Sequence, residues 1–165
     1  MSKPCPTCSG EGRALKSSEL RVRIPAGIES GAQIRLAGEG EAGARGGPPG
    51  DLFVEVRVRE KEGFHRDGQD LYVEVPVSWP QAVLGDRIQV PTLDGEARMN
   101  VPAGTATGKL FRIRGQGLPP LHGGSRGDLM VRVFVSVPEK LNREQKSIVK
   151  RLFEIDQEQK SQDAK

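Results

Sequence analysis

The sequence predicts a mainly β fold: two tandem small antiparallel β-sandwich domains of the same plan, followed by a C-terminal helix. Three observations carry that expectation. Apolar and polar residues alternate over short runs such as "DLFVEVRV" and "DLYVEVPV", which is the period of a half-buried strand. Glycine (21) and proline (12) are abundant while aromatics make up only 4%, so the chain turns often and has little material for long helices. The third is an internal repeat. At an offset of 77 residues, "IPAGIESGAQIRLAGEG" lies over "VPAGTATGKLFRIRGQG" and "GGPPGDLFVEVRV" over "GGSRGDLMVRVFV". Positions 22–58 hold 15 identities in 37, where composition alone gives roughly three.

Each copy reads as the same series of elements. In copy one, Leu20, Val22 and Ile24 alternate along a strand that ends in Pro25-Ala26-Gly27, and a turn closes on Gly31. A strand bearing Ile34 and Leu36 follows, then a Gly-rich loop, then a strand bearing Leu52, Val54, Val56 and Val58. Copy two answers with Pro102-Ala103-Gly104, Gly108, Phe111 and Ile113, and then Leu129, Val131, Val133 and Val135. It also has more in front: a strand at 71–77, a helical turn at 81–84, a strand at 87–90 and a turn at Asp94-Gly95. Subtracting the offset from Leu71 lands before residue 1, so the chain reads as part of a longer parent whose first copy has its opening strands elsewhere.

The period changes near the C-terminus. Asn142 can cap a helix with Gln145 three residues on, and Leu141, Ile148, Val149, Leu152 and Ile155 then form one apolar stripe. The expected helix covers 139–158, with a polar, disordered tail at 159–165. Trp79 and Tyr72 are expected in the core of the second module.

Composition excludes several classes of function. Twenty-five basic against 22 acidic residues leave a net charge of +3, in alternation and without basic blocks, so no specific nucleic acid is expected. No apolar run is long enough to span a membrane and no signal-peptide core follows Met1, which predicts a soluble, cytoplasmic protein. Gly38-Glu39-Gly40-Glu41-Ala42-Gly43 matches the dinucleotide spacing G-x-G-x-x-G. That fingerprint requires a helix starting on its glycines. Here they run into a strand, and copy two has Pro120 where the third glycine falls. His65 and His122 have no neighbouring Ser or Cys arrangement that suggests a triad, so no enzymatic activity is expected.

Cys5 and Cys8 form a C-x-x-C turn, which aims two thiolates at one point. Structural zinc takes four ligands, and neither histidine stands at finger spacing, so half a site is present. Two readings stay open: a disulfide oxidoreductase pair, or one half of a zinc ribbon.

Taken with "RVRIPAGIESGAQIRLAGEGEAG", "GDLFVEVRV", "FHRDGQDLY", "ALGDRIQVPTLDG" and "GKLFRIRGQG", the Cys5-Pro6-Thr7-Cys8-Ser9-Gly10-Glu11-Gly12 motif resembles the C-terminal part of a bacterial DnaJ, the co-chaperone of DnaK. The resemblance runs from about Pro4 to the helix near Phe153, with its motifs in family order. It implies residues 1–17 as the remnant of a cysteine-rich zinc-finger region, 18–66 as part of a first client-binding sandwich, 67–138 as a second, and 139–158 as a dimerisation helix. Zinc is the implied cofactor, with Cys5 and Cys8 matching the last of four cysteine repeats, which in the family shares its ion with the first. The chain has no His-Pro-Asp tripeptide and no Gly/Phe-rich linker, so stimulation of DnaK is not expected of it.

The implied partners are unfolded client proteins, DnaK and a second copy of the chain. Leu20 and Phe64 fall on family positions that line the client pocket; Val22 and Ile24 share the strand with Leu20, and core is the ordinary reading of both. These four are the candidate client-binding residues. Arg21, Arg23, Arg57 and Arg59 could attract an acidic tail, a solvated strand face being the simpler reading. Two other functions fit the residues: a tandem β-sandwich adaptor for one folded partner, and a thiol-active protein acting through Cys5 and Cys8.

Overall fold

The structure, a computed structural model, describes residues 16–43 and 47–163. Its elements are β1 (Gln33–Leu36), β2 (Leu52–Glu55), β3 (Phe64–Asp67), β4 (Asp70–Ser78), α1 (Trp79–Leu84), β5 (Asp86–Thr92), β6 (Gly95–Val101), β7 (Leu110–Ile113), β8 (Leu129–Ser136) and α2 (Arg143–Asp163). Three sheets result: β1-β2, β3-β4-β8-β7, and β5-β6. The fold is mainly β with a C-terminal helix, as alternation and composition predicted.

The repeat survives as a repeat of hydrogen bonds. Gly31 N–H donates to the Val56 carbonyl at 2.8 Å, and Gly108 N–H to that of Val133 at 2.7 Å. Gly40 N–H reaches the Gly50 carbonyl at 2.8 Å, and Gly117 N–H reaches that of Gly127 at 2.8 Å. The Asp51 carboxylate accepts from Gly38 N–H at 2.9 Å and the Asp128 carboxylate from Gly115 N–H at 2.9 Å. Ser30 Oγ accepts from Val58 N–H, and Thr107 Oγ1 from Val135 N–H. The glycines of the G-x-G-x-x-G match are therefore loop glycines. A Cβ on Gly40 would stand 2.7 Å from the Asp51 carbonyl oxygen, and one on Gly117 would stand 2.6 Å from that of Gln69.

Two compact units share these elements. One holds the described residues up to Val73 together with Arg112–Met130; the other holds Glu74–Phe111 and the described residues from Val131 onward. In the second, Val75, Val77, Ile88, Val90, Met99, Val101, Val131 and Val133 are buried. They sit at alternate positions, as half-buried strands require. β5 and β6 pair from Asp86 with Val101 to Thr92 with Gly95, over the Asp94-Gly95 turn that the sequence predicted. β4 and β8 run the same way, because Leu71 N–H donates to the Asp128 carbonyl near one end and Ser136 Oγ donates to the Val77 carbonyl at the other. A parallel pair needs a long crossover, and the chain from α1 through β7 supplies it.

Several expectations are corrected. No strand forms over 20–24. Its counterpart in copy two is β6, which pairs with β5 alone. Copy one has no described equivalent of β5, so the alternating segment has no ladder to join. Ile24 is accordingly 60% exposed where its counterpart Val101 is 1% exposed, which overturns core as the reading of Ile24.

β3 is an addition: Phe64 pairs with Val73 and Asp67 with Asp70 across a turn in which Gly68 takes φ 61°. Trp79 is 42% exposed rather than core, because α1 buries only Ala82. The polar tail is also corrected, since α2 continues to Asp163. Gln, Glu and Lys are good helix formers, and Ser161 Oγ donates back to the Gln157 carbonyl at 2.9 Å.

Candidate functional site

Arg66, on β3, organises the first unit. Its guanidinium Nη1 and Nη2 donate to the carbonyls of Ile28 (2.8 Å) and Gly27 (3.0 Å), while Nε donates to Gly68 at 2.8 Å. One planar fork thus ties the Pro-Ala-Gly turn to the β3-β4 hairpin, a task that suits arginine because its donors are fixed in direction. Gly27 itself takes φ 80°. A Cβ on it would run into the backbone of Pro119.

Beside this fork lies a groove of about 280 Å³ lined by Glu29, Ser30, Val58, Glu60, Arg66 and Gly68. Val58 is 40% exposed and gives the wall its apolar surface. Glu60 reaches His65 Nδ1 at 3.3 Å on the exposed side. Of the candidate residues, Phe64 is buried at 9% exposure, its N–H bonded to the Lys61 carbonyl at 2.9 Å and the Lys61 ammonium 5.4 Å from the ring centre. It stands two residues from Arg66 on the same strand but is not among the residues that line the groove. Leu20 and Val22 are half-buried and Ile24 is exposed; none of the three lines this groove.

Sequence reasoning missed Glu29, Ser30, Val58 and Arg66 as neighbours. The available signal was the repeat, which marks Ser30 and Val58 as a bonded pair wherever Thr107 and Val135 are one.

The second unit has its own, larger groove of about 480 Å³, lined by Val75, Pro76, Gln81, Arg87, Ile88, Gln89 and Arg98. Its rim is ordered by α1. Ser78 and Gln81 form a capping box, and Gln81 Nε2 donates to Asp86 at 2.8 Å. That bond and the one from Arg87 N–H hold the Asp86 carboxyl below the usual aspartate range.

α2 begins on the predicted cap, Asn142 Oδ1 accepting from Gln145 N–H at 2.7 Å and Gln145 Oε1 from Asn142 N–H at 3.0 Å. Ile148, Val149 and Ile155 of the stripe are exposed, Leu152 is half-buried, and Leu141 lies just before the helix. Phe153, 63% exposed, extends the apolar surface beyond what the stripe predicted.

Cys5 and Cys8 lie outside the described residues. Two thiolates fill half of a structural zinc site. No cluster of three or more His, Cys, Asp or Glu suited to a metal occurs among the described residues. Among those same residues no helix is long and apolar enough to cross a membrane.

The family comparison agrees with this architecture. A model described as DnaJ C terminal domain matches residues 10–138, which takes in both copies of the repeat and every strand. With the motif order, the repeated loop bonds and the mainly β fold all accounted for by that one match, the chain belongs to the DnaJ C terminal domain family.

Proposed function

We propose that this chain binds unfolded or misfolded client polypeptides, with a sheet edge pairing their backbone and a groove taking one apolar side chain, as the client-holding part of a DnaJ co-chaperone that passes clients to DnaK in the cytoplasm. The family is chaperone-type and associated with client binding. The observation that carries this reading is the groove at Arg66: Val58, three residues after β2, offers it apolar surface, and the Arg66 side chain that lines it is fixed by its bonds to the Gly27 and Ile28 carbonyls. A preformed groove spares the client the cost of ordering the site.

Backbone pairing suits a holder of many clients because N–H and C=O groups are common to all of them. Burying one leucine contributes roughly 1.5–3 kcal/mol, offset by the ordering of a flexible client. Each contact is then weak, and a homodimer joined through Leu141, Ile148, Val149, Leu152 and Ile155 raises apparent affinity when one client spans both copies. Exposure of that stripe along α2 supports such a dimer. In this reading Leu20 and Val22 flank the client path, and zinc held by Cys5 and Cys8 needs two further ligands from outside this pair.

The test is an anisotropy titration of a labelled, unstructured Leu-rich peptide against the chain and its Leu20→Ser and Val58→Ser variants, each first shown to keep its thermal midpoint. Weak saturable binding that Val58→Ser abolishes is expected. Binding to a single native protein and to no unfolded chain would replace the reading with a dedicated adaptor.

A further inference from the structure

β5 pairs with β6 on one side and with no strand on the other among the described residues. Which backbone groups face that open side follows from one bond. Arg87 N–H donates to the Asp86 carboxylate at 2.7 Å rather than to Asn100, its partner across the ladder, so it points away from β6. In an antiparallel ladder the direction of the N–H groups repeats every second residue. The next outward residues are therefore Gln89 and Pro91. Pro91 has no N–H to offer, and that of Arg87 is already taken. Gln89 alone presents both N–H and C=O, so the edge is blunted at both ends and open over one residue.

The second unit's groove runs along this window, since Arg87, Ile88 and Gln89 all line it. Its surfaces differ in character. Arg87, Gln89 and Arg98 are exposed, with Arg98 directly opposite Gln89 and diagonal to Arg87, while Ile88 and Val75 are buried and give the groove its apolar part. Two arginines line the groove and no carboxylate does. Neither arginine side chain makes an ion pair or a hydrogen bond among the described residues. The nearby Asp86 carboxylate is occupied by Gln81 Nε2 and by Arg87 N–H. Like charges at neighbouring positions of a ladder disfavour each other, and a carboxylate placed between these two relieves that repulsion.

We propose that this groove is a docking site for a short extended segment of alternating acidic and apolar residues. One acidic residue of the segment pairs its backbone with Gln89, N–H to carbonyl and carbonyl to N–H. Side chains alternate across a strand, so the acidic residues meet Arg87 and Arg98 while the apolar residues between them turn toward Ile88 and Val75. Because the window is one residue wide, the arginines rather than a long ladder select the occupant. The site lies wholly in the second unit and does not rest on the groove at Arg66.

The probe is a labelled, C-terminally amidated peptide, GSELELESG, titrated into the full chain. Saturable binding is expected, weakening as salt is raised. Hydrogen exchange is expected to slow at the Gln89 amide and to stay unchanged at the Ile88 and Val90 amides, which the β6 ladder already holds. Lysine for the peptide glutamates, N-methylation of the central glutamate, and Arg87→Gln with Arg98→Gln in the chain are each expected to weaken binding roughly tenfold or more. Both arginines are exposed, so the double variant is expected to keep the wild-type thermal midpoint. Equal binding of the lysine peptide, indifference to the arginine double variant, or an unprotected Gln89 amide would each overturn the site.

Discussion

Asp51 and Asp128 hold their loops alike: each carboxylate accepts a backbone N–H at 2.9 Å, from Gly38 and Gly115 respectively, and each meets an arginine, Arg35 or Arg112, on the strand before its loop. The glycine on the accepting turn has positive φ in both copies, 75° at Gly38 and 68° at Gly115. The aspartate is therefore the clasp of a repeated loop.

Replacing either aspartate by alanine strands a turn amide and is expected to cost about 1–3 kcal/mol. The exposed arginines add little of that. Asp128→Ala is expected to be the more costly, because its bond from Gly115 N–H is part-buried while the one from Gly38 N–H to Asp51 is exposed to water. Urea midpoints of the two variants check the order.

Val54 and Val131 occupy the same place in the repeat and differ in burial, half-buried against 0% exposed. Val131→Ala is expected to destabilise by about 1.5–3 kcal/mol and Val54→Ala by less than about half of that. Equal losses in denaturant titrations would mean that the first copy is as well packed as the second.

The rim of the larger groove is expected to respond to acid. Gln81 Nε2 first, and Arg87 N–H second, favour the charged form of Asp86, so its folded pKa lies below its unfolded one. The stabilisation is then fully present above about pH 4 and is lost as pH falls through the folded value. Gln81→Ala is expected to raise the Asp86 pKa toward the ordinary range, as followed by carboxyl carbon NMR. Ser78→Ala, which removes the other half of the capping box, is expected to cost about 1 kcal/mol.

The apolar surface of α2 predicts self-association. Ile148→Asp with Phe153→Asp is expected to convert a dimer to a monomer by sedimentation velocity without lowering the thermal midpoint of the β-sheets, since both side chains are 63% exposed in the single chain. A wild-type chain that sediments as a monomer at high concentration would remove α2 as the dimer contact.

Much of this architecture was legible in residues alone. Period-two alternation located β1, β4, β5, β7 and β8, and the Asn142-Gln145 pair located the start of α2, because each of these signals is local to a few neighbouring residues. β3 was missed although "RDGQD" carries a turn signal, since its strand is only four residues long and alternates weakly.

That the chain is a tandem repeat of one loop-and-strand plan, down to which aspartate and which glycines recur, follows from its residues alone, because identical local residues make identical local bonds. Tertiary structure decided what each copy does with that plan. Leu52 and Leu129 are the same residue in the same strand, yet one is half-buried and the other fully buried. The difference lies in which strand stands beside each of them, and that neighbour comes from elsewhere in the chain, where no local pattern records it.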